Sequence, residues 1–489
     1  MENGFQRERE ELKKMAGTVQ SCPYRTEFHI MPPVGWINDP NGLCQFKGRF
    51  HAYFQYSPLS VHGGGGYWGH CTSKDLLHWE YHSPVLTTDI PEDASGVYSG
   101  SALIENDRMY LFYTGNVKNP GEYDYIDAGR MSTQILVESE DGQHMSEKTV
   151  LLRMEDYPQH MTQHVRDPKV WKEDGKYYMV LGARARAWDE SGNRRDKGGI
   201  LIYESDDRKE WTLHRELTPE KAFGYMWECP DIFDLGGKRV LSFCPQGLPS
   251  EPERYQNIYQ SGYAFLSDSE DVEKTFREWD MGFDFYAPQT FVSEDGRRIL
   301  IGWAGMPDTE KTHRNLSVEN GWQHCLTLPT ELTFRDGRIF RAPVRELQEQ
   351  QWRERMISDD GRLTFRRAVL VSAEGIGGEP CSIRIGTAEN GLTIRADKEK
   401  IEITFVNPDG SISQCGGGRR SRTGRVEKGV ERLLAVIDSS IAELFVNDGE
   451  AVFTTRIYLD REERRLDVSE CRGCRIYEAD TLHSEQAEL

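Results

Sequence analysis

One short design recurs five times along the first two thirds of the chain. Each copy has a polar residue beside a Pro or Gly, then a short apolar run, a turn and an aromatic-rich run. The starting motifs are Asn38-Asp39-Pro40, Tyr98-Ser99-Gly100, Arg166-Asp167-Pro168, Glu228-Cys229-Pro230 and Tyr286-Ala287-Pro288. Their spacing of 58–68 residues accommodates four strands per copy, the content of one propeller blade. The sequence therefore predicts an all-β fold built on a five-bladed β-propeller.

Hairpin signals separate the predicted strands. Asp174-Gly175 and Asp295-Gly296 each stand between two β-prone runs and are hairpin signals. After about residue 340 the texture changes to a Glu/Gln/Arg-rich stretch and then to alternating strands with Gly-rich turns, typical of a β-sandwich. We predict an N-terminal segment at 1–25 that begins with an amphipathic helix, a propeller at 26–342, a linker helix at 343–358, a β-sandwich at 359–480 and a polar tail at 481–489.

Charge and hydropathy exclude two classes of partner. The net charge of -20 and the pI near 5.2 oppose binding to a phosphate backbone, so no nucleic-acid partner is expected. Mean hydropathy is -0.66, and no run approaches the ~18 apolar residues of a membrane span. The charged N-terminus lacks the apolar stretch of a signal peptide. We expect a cytoplasmic protein without a membrane partner; its oligomeric state stays open.

The cysteines indicate neither a disulfide scaffold nor a metal site. Ten of them are scattered over 489 residues, and Cys471-Arg472-Gly473-Cys474 is a lone C-x-x-C pair. A structural zinc site needs four ligands, and no second pair supplies them. We therefore expect free thiols, no metal and no cofactor.

The repeat also predicts a site. Innermost strands of propeller blades line one central channel, so residues beside the five motifs' Pro or Gly converge at one end. They are Asn38, Asp39, Tyr98, Ser99, Arg166, Asp167, Glu228 and Tyr286, together with Cys229 and Ala287. Three clustered carboxylates raise the pKa of at least one member, which provides both an ionised nucleophile and a protonated acid. Two such carboxyls are what glycoside hydrolysis requires.

Nearby aromatic and amide side chains suit a sugar. We assign Trp36 and Trp68 to stacking on a sugar face, and Gln55 to a hydroxyl. Structural roles compete with these assignments. Asp-Pro pairs are common in turns, Arg166 and Asp167 could form an ordinary ion pair, and strand aromatics mostly fill cores.

The same motifs carry a family resemblance. Trp36-Ile37-Asn38-Asp39-Pro40-Asn41-Gly42, with Phe54-Gln55-Tyr56-Ser57-Pro58 after it, closely resembles the signature of glycoside hydrolase family 32. Trp68-Gly69-His70, Arg166-Asp167-Pro168, Trp227-Glu228-Cys229-Pro230-Asp231 and Tyr286-Ala287-Pro288 are similar to its further blocks in the same order, and Glu443-Leu444-Phe445-Val446-Asn447 looks like its sandwich motif.

The resemblance implies a propeller followed by a sandwich, no metal, and a retaining β-fructofuranosidase. It implies that Asp39 is the nucleophile, that Glu228 is the acid/base, and that Asp167 holds fructosyl hydroxyls in the transition state. It also implies that Asn38, Gln55, Ser99 and Arg166 bind the fructosyl unit. One departure concerns residues 62–66: many relatives carry an additional Trp here, whereas this chain has a glycine run that cannot stack on a sugar.

The resemblance leaves the substrate open. A cytoplasmic location argues for sucrose 6-phosphate rather than sucrose as the substrate. Its phosphate would need basic side chains at the rim of the pocket. Arg184, Arg186, Arg194, Arg195 and Lys197 form one basic cluster that could serve, although a solvated loop is the competing interpretation. The alternatives are an exo-fructanase acting on levan or inulin and, from another class, a non-catalytic sugar-binding protein. Transfer of fructose to a sugar instead of water is open as well.

Overall fold

The computed structural model describes residue 12 and residues 14–64, 66–266, 272–358, 361–469, 471 and 473–480. Residues 14–20 are helical, and Ala16 and Val19 pack against Trp322 in a small core cluster. Most of the predicted N-terminal helix, including Phe5, lies outside the described residues. So does the predicted tail at 481–489.

Five sheets follow one another along residues 35–343, the first part of the chain. The first holds β1 (Gly35–Phe46), β2 (Arg49–Ser57), β3 (Tyr67–Ser73) and β4 (Trp79–Thr87); the second β5 (Gly96–Glu105), β6 (Arg108–Lys118), β7 (Arg130–Ser139) and β8 (Thr149–Leu152). The third holds β9 (Met161–Glu173), β10 (Lys176–Ala185), β11 (Lys197–Ser205) and β12 (Thr212–Leu217); the fourth β13 (Met226–Leu235), β14 (Lys238–Gln246), β15 (Gly262–Phe265) and β16 (Arg277–Glu278). The fifth holds β17 (Tyr286–Val292), β18 (Arg298–Trp303), β20 (Thr330–Arg335) and β21 (Arg338–Pro343). A short strand, β19 (Trp322–Gln323), lies between β18 and β20 in the chain.

The first strands of these sheets contact one another in a closed ring. β1 contacts β5, β5 contacts β9, β9 contacts β13, β13 contacts β17, and β17 contacts β1. β19 does not pair within the fifth sheet but adds in parallel to β1, with Trp36 opposite Gln323. The last unit is thereby hydrogen-bonded to the first.

Turn chemistry sets the register of the hairpins. Asp174 and Gly175 link β9 to β10 with φ of 49° and 84°. A two-residue turn with both φ values positive matches the twist of the flanking strands, and Gly adopts this conformation without steric cost. The predicted hairpin is confirmed here.

The second part consists of two six-stranded sheets. One has the order β22 (Trp352–Arg355), β33 (Arg475–Ala479), β24 (Val369–Glu374), β29 (Arg432–Asp438), β30 (Ile441–Val446), β31 (Ala451–Arg456). The other has the order β23 (Arg362–Thr364), β32 (Arg465–Ser469), β25 (Cys381–Gly386), β26 (Gly391–Ala396), β27 (Lys400–Thr404), β28 (Ser421–Arg425). In β25 the apolar Cys381, Ile383 and Ile385 alternate with more exposed residues, and they pack in one core with Val371 and Ala435 of the other sheet.

A further core joins the two parts of the chain. Phe28 and Ile30, just before β1, pack in one cluster with Val436 of β29 and Phe445 of β30. Short helical turns at Pro91–Asp93, Met154–Asp156, Val272–Thr275, Leu316–Asn320, Glu346–Glu349, Gln414–Gly416 and Arg461–Glu463 connect the strands.

The predicted linker helix at 343–358 is wrong over most of its length. Only Glu346–Glu349 is helical, and Trp352–Arg355 forms β22 along β33. Pairing with β33 satisfies backbone groups at a sheet edge and packs the Trp352 ring against the shared core, which outweighs the helical preference of Glu and Gln.

The expectation of free thiols fails at one pair. Cys381 and Cys471 form a disulfide across 90 residues, because β25 pairs with β32 and brings the two positions together. The other eight cysteines are free, and all of these except Cys474 are buried.

No helix in the described part of the chain is long and apolar enough to cross a membrane.

Candidate active site

Breaks in strand pairing shape the site. In each of the five first strands the pairing skips at the predicted motif, between Ile37 and Pro40, Val97 and Gly100, Arg166 and Lys169, Glu228 and Asp231, and Tyr286 and Gln289. Such bulges redirect side chains and are frequent beside active sites. Asp167, Cys229 and Ala287, at matching positions of three repeats, have φ of 66°, 47° and 47°. Each non-glycine residue there costs about 1–3 kcal/mol, which the surrounding structure must offset.

Asp39 is held by side chains from two sheets. Ser99 Oγ donates to Asp39 Oδ2 at 2.5 Å, and Asn38 Nδ2 donates to Asp39 Oδ1 at 3.1 Å. Gln55 Nε2 donates to Ser99 Oγ at 2.6 Å, and Trp36 Nε1 to Asn38 Oδ1 at 2.8 Å. The carboxylate orientation is thus fixed by two donors that are themselves held in place.

Glu228 is fixed on both of its oxygens. Arg166 donates to Oε1 from Nε at 3.1 Å and from Nη2 at 2.5 Å. Tyr286 Oη donates to Oε2 at 2.6 Å, and Gln246 Nε2 donates to the same oxygen at 2.8 Å. Its side chain is 16% exposed, so the carboxylate can meet a ligand while held by three residues.

Asp167 lies between these two groups. The Cys229 backbone N–H donates to Asp167 Oδ2 at 3.0 Å, and Arg166 Nε lies 3.9 Å from the same oxygen. The Cys229 thiol lies 3.7 Å from Asp39 Oδ2 and 3.8 Å from Asp167 Oδ2, so these two carboxylates face one sulfur. The structure therefore brings the three predicted carboxylates together.

The cluster perturbs its own protonation. Burial raises the pKa of Asp39, against hydrogen bonds from Ser99 and Asn38 that favour the ionised form. Burial also raises the pKa of Asp167, to about 7, where the Arg166 charge lowers it and Glu228 raises it. Near neutral pH Asp167 can therefore keep a proton that an isolated aspartic acid would have lost, so carboxyl groups of this cluster can differ in protonation.

Polar members of the cluster reach the surface. Asn38, Asp39, Gln55, Tyr98 and Glu228 are partly exposed, whereas their strand neighbours are mostly buried.

Among the described residues, no group of three or more His, Cys, Asp or Glu side chains could hold a metal ion.

The predicted aromatic residues divide into two groups. Trp36 and Tyr286 lie in the cluster, through Asn38 and Glu228 respectively. Trp68 does not contact it directly: the ring is fully buried against Tyr53 and Tyr113, and its Nε1 donates to the Tyr98 carbonyl at 3.0 Å. The prediction that Trp68 stacks on a sugar is wrong, because the indole fills the core between two sheets.

The glycine run lies against Trp36. A Cβ on Gly63 would meet Trp36 Cε2 at 3.3 Å, and Gly63 has a φ of 76°. Both facts favour glycine there, because a side chain would press on the Trp36 ring. Gly65 lies outside the described residues.

The four arginines of the basic cluster pair with carboxylates. Arg184 and Arg194 pair with Asp196, Arg186 with Asp127, and Arg195 with Asp189, while Lys197 Nζ donates to backbone carbonyls. The structure favours a cross-linked loop.

Sequence reasoning missed three residues at the site. His164 accepts from Arg166 Nη1 at 2.7 Å, Gln246 holds Glu228, and Arg130 neighbours the Tyr98 side chain. A signal existed for His164, which stands two residues before Arg166 and so shares its strand face. Gln246 and Arg130 belong to second and third strands, whose register the motifs do not give.

Comparisons with known proteins identify a family for this chain. Residues 29–343 match the model of the glycosyl hydrolases family 32 N-terminal domain, and residues 377–486 match that of the family 32 C-terminal domain. The sucrose-6-phosphate hydrolase of Bacillus subtilis (strain 168) is 36% identical over 468 residues, covering 92% of each chain. The solved sucrose-6-phosphate hydrolase of Lactobacillus gasseri is 28% identical with a TM-score of 0.81, over 97% of both chains. A family 32 β-fructofuranosidase of Bombyx mori is 29% identical with a TM-score of 0.81, over 99% of this chain and 100% of its own.

Proposed function

The chain belongs to glycosyl hydrolase family 32 and is a β-fructofuranosidase, and from that premise we propose that it hydrolyses sucrose 6-phosphate, in preference to sucrose, by a retaining mechanism. The convergence of Asp39, Asp167 and Glu228 carries the proposal, because each carboxylate has a different set of partners suited to a different role. We also propose that the five ring-forming sheets are propeller blades, that the two six-stranded sheets form a β-sandwich, and that the enzyme works in the cytoplasm.

In the first step Asp39 attacks the anomeric carbon of the fructosyl unit. The bond to the glucosyl oxygen breaks while Glu228 transfers its proton to that oxygen, leaving a covalent fructosyl-enzyme. Ser99 and Asn38 keep the Asp39 oxygens oriented. In the second step Glu228 takes a proton from water, whose oxygen attacks the anomeric carbon and releases Asp39. Two inversions give net retention.

Asp167 accepts hydrogen bonds from the fructosyl hydroxyls. Its Oδ2 is held by the Cys229 amide, which leaves Oδ1 for the sugar. Asn38, Gln55 and Arg166 are proposed to complete the fructosyl site, and Tyr98 to line its edge. Hydrogen bonds that strengthen as positive charge develops on the sugar favour the transition state over the bound substrate.

The choice of sucrose 6-phosphate is supported by relatives with that name that match most of this chain. Its test compares kcat/KM for sucrose 6-phosphate, sucrose and levan. The proposal predicts the highest value for sucrose 6-phosphate, whereas a preference for sucrose or for the polymer contradicts it. A higher value for levan would revive the exo-fructanase alternative.

The roles are tested by Asp39→Asn and Glu228→Gln. Both should reduce turnover by at least about 10³-fold while sugar binding remains measurable by calorimetry. Asp127→Asn is the matched control, because Asp127 pairs with Arg186 outside the carboxylate cluster. NMR of freshly released fructose reports the anomer, and an inverted product would exclude the covalent intermediate.

A further inference from the structure

Arg130 is a cationic side chain beside the site that the proposed mechanism does not use. It opens β7, and its Nη1 donates to Asn116 Oδ1 on β6 at 3.2 Å. Its backbone N–H donates to Gln163 Oε1 on β9 at 2.8 Å, and its side chain neighbours that of Tyr98. Hydrogen bonds to β6 and β9 thus hold Arg130 next to a residue of the site.

Arg130 forms no salt bridge with a described residue. The residue is 9% exposed, its Nε has no hydrogen-bond partner, and Glu228, whose charge acts on it, lies beyond salt-bridge distance, as do the other described carboxylates. By contrast, Arg166 is paired with Glu228 and Arg184 with Asp196. A buried, unpaired cation is costly, so its retention points to an anion that is present only with a ligand.

The position of Arg130 relates it to the leaving group. Thr114 and Asn116 lie on the same face of β6: Thr114 Oγ1 accepts from the Asp167 N–H, and Asn116 accepts from Arg130. His164 follows Gln163 in the chain and accepts a hydrogen bond from Arg166, which in turn holds the proposed acid Glu228. The glucosyl unit leaves from the side of this acid, and a group on its far end points away from Asp39. Partly exposed Tyr98 and His164 give access to Arg130.

We propose that Arg130, with Tyr98, binds the phosphate monoester on the leaving sugar and so determines the preference for phosphorylated sucrose. The inference rests on the proposed function. A guanidinium presents a fork of N–H groups that matches phosphate oxygens in two parallel bonds, and the unused Nε is one prong of that fork. Burial and the nearby Arg166 lower the pKa of Arg130, a cost that a bound dianion removes.

The test is the ratio of kcat/KM for sucrose 6-phosphate to kcat/KM for sucrose. In Arg130→Gln this ratio should fall by about 10- to 100-fold, the range for a lost charge-assisted contact. Arg130→Lys keeps the charge but loses the fork, so its ratio should fall less but still measurably. Inhibition by glucose 6-phosphate should weaken in both variants relative to inhibition by glucose.

Arg195→Gln is the control, since Arg195 belongs to the neighbouring hairpin and pairs with Asp189. Its ratio should match the wild-type value, and a fall there with no fall in Arg130→Gln would move the phosphate site to that hairpin. An unchanged ratio in Arg130→Lys overturns the forked contact even if Arg130→Gln does not fold. If the wild-type enzyme prefers sucrose, the proposed substrate fails first; if it prefers sucrose 6-phosphate and the Arg130 variants keep that preference, this inference alone fails.

Discussion

Ser99 Oγ donates a 2.5 Å hydrogen bond to Asp39 Oδ2, across the contact between the first strands of two neighbouring sheets. The two residues are 60 positions apart and occupy matching places in consecutive repeats. The bond therefore makes the orientation of the proposed nucleophile depend on how two sheets pack. It also favours the ionised carboxylate that the burial of Asp39 disfavours.

Ser99→Ala should lower kcat/KM for sucrose by about 10- to 100-fold at neutral pH, because a charge-assisted bond to the nucleophile is lost. Without this donor the pKa of Asp39 rises further. Since only the ionised form attacks, the acidic limb of the pH–rate profile should move to higher pH. A full pH profile of kcat/KM measures both effects.

Ser101→Ala provides the matched control. Ser101 lies two residues further along β5, and its hydroxyl accepts from the Val170 N–H in the core. This variant should lose some thermal stability but keep the wild-type acidic limb. Identical limbs in Ser99→Ala and the wild type would rule out the proposed support of Asp39.

Arg166→Lys tests the hold on Glu228. Lysine retains the charge but cannot donate from two nitrogens to Oε1 and from a third to His164. We expect kcat to fall by about 10- to 100-fold because the acid/base is misplaced. KM should change less, because lysine keeps the charge and Asn38 and Gln55 still bind the fructosyl unit. Steady-state kinetics on sucrose separate the two constants.

Arg297→Lys is the control for that substitution. Arg297 is equally buried, at 10% side-chain exposure, and binds Glu346 and Glu331 away from the carboxylate cluster. Its kcat should stay within roughly twofold of the wild-type value. A fall of similar size in both variants would mean that Arg166→Lys acts through general destabilisation.

Much of the site could be predicted because it follows the repeat. Asp39, Ser99, Asp167 and Glu228 stand at the same motif in successive copies, and copies of one unit place matching residues at one end of their strands. Trp68 illustrates the limit: its motif marks a strand, and whether an indole on that strand faces a sugar or a core depends on packing between sheets. Arg130 and Gln246 were missed for a related reason, since the registers of β7 and β14 are set by tertiary pairing.

Long-range pairing accounts for the other differences. Residues 352–355 have a helical composition, yet β33, more than 100 positions later, supplies a strand partner that the local sequence does not reveal. The partner of Cys381 is also fixed by distant strand order rather than by the adjacent C-x-x-C spacing. Local propensity is a weak predictor at such sites.

The disulfide predicts an effect of reductant on stability. Closing a loop of 90 residues should stabilise the folded chain by about 2–4 kcal/mol, mainly by restricting the unfolded state. Urea unfolding of the wild type should shift to lower midpoints in reductant, whereas Cys381→Ser should show the lower midpoint in both conditions. Cys474→Ser is the control, because Cys474 is free and should leave the reductant effect intact. A reductant effect that persists in Cys381→Ser would contradict the assignment.

His29 connects the two parts of the molecule through buried charges. Its Nδ1 lies 2.7 Å from Asp438 Oδ2 at the end of β29, and its Nε2 lies 3.1 Å from Glu443 Oε2 on β30. All three side chains are fully buried. Burial lowers the pKa of His29, but the hydrogen bonds and charges of the two carboxylates outweigh it and raise the pKa to about 9. His29 is therefore a cation in the folded protein at neutral pH.

This raised pKa links stability to pH with a definite sign. The folded state holds a proton that the unfolded chain releases near its ordinary pKa of 6.5. The stabilisation is complete below that pH and disappears as the pH rises through about 9. Its size is on the order of 3 kcal/mol, from the difference between the two pKa values. Urea midpoints of the wild type should fall steadily between about pH 6 and pH 9.

His29→Gln should remove that slope. The variant should be less stable below pH 6.5, because Asp438 and Glu443 stay buried without a cation, and its midpoint should change little towards pH 9. His144→Gln is the matched control, since His144 also bonds an aspartate, Asp141, but is 89% exposed. An exposed pair contributes little, so this control should keep the wild-type slope. Equal slopes in His29→Gln and the wild type would show that the buried imidazole is neutral, and that its two carboxylates do not hold a proton between the two parts of the chain.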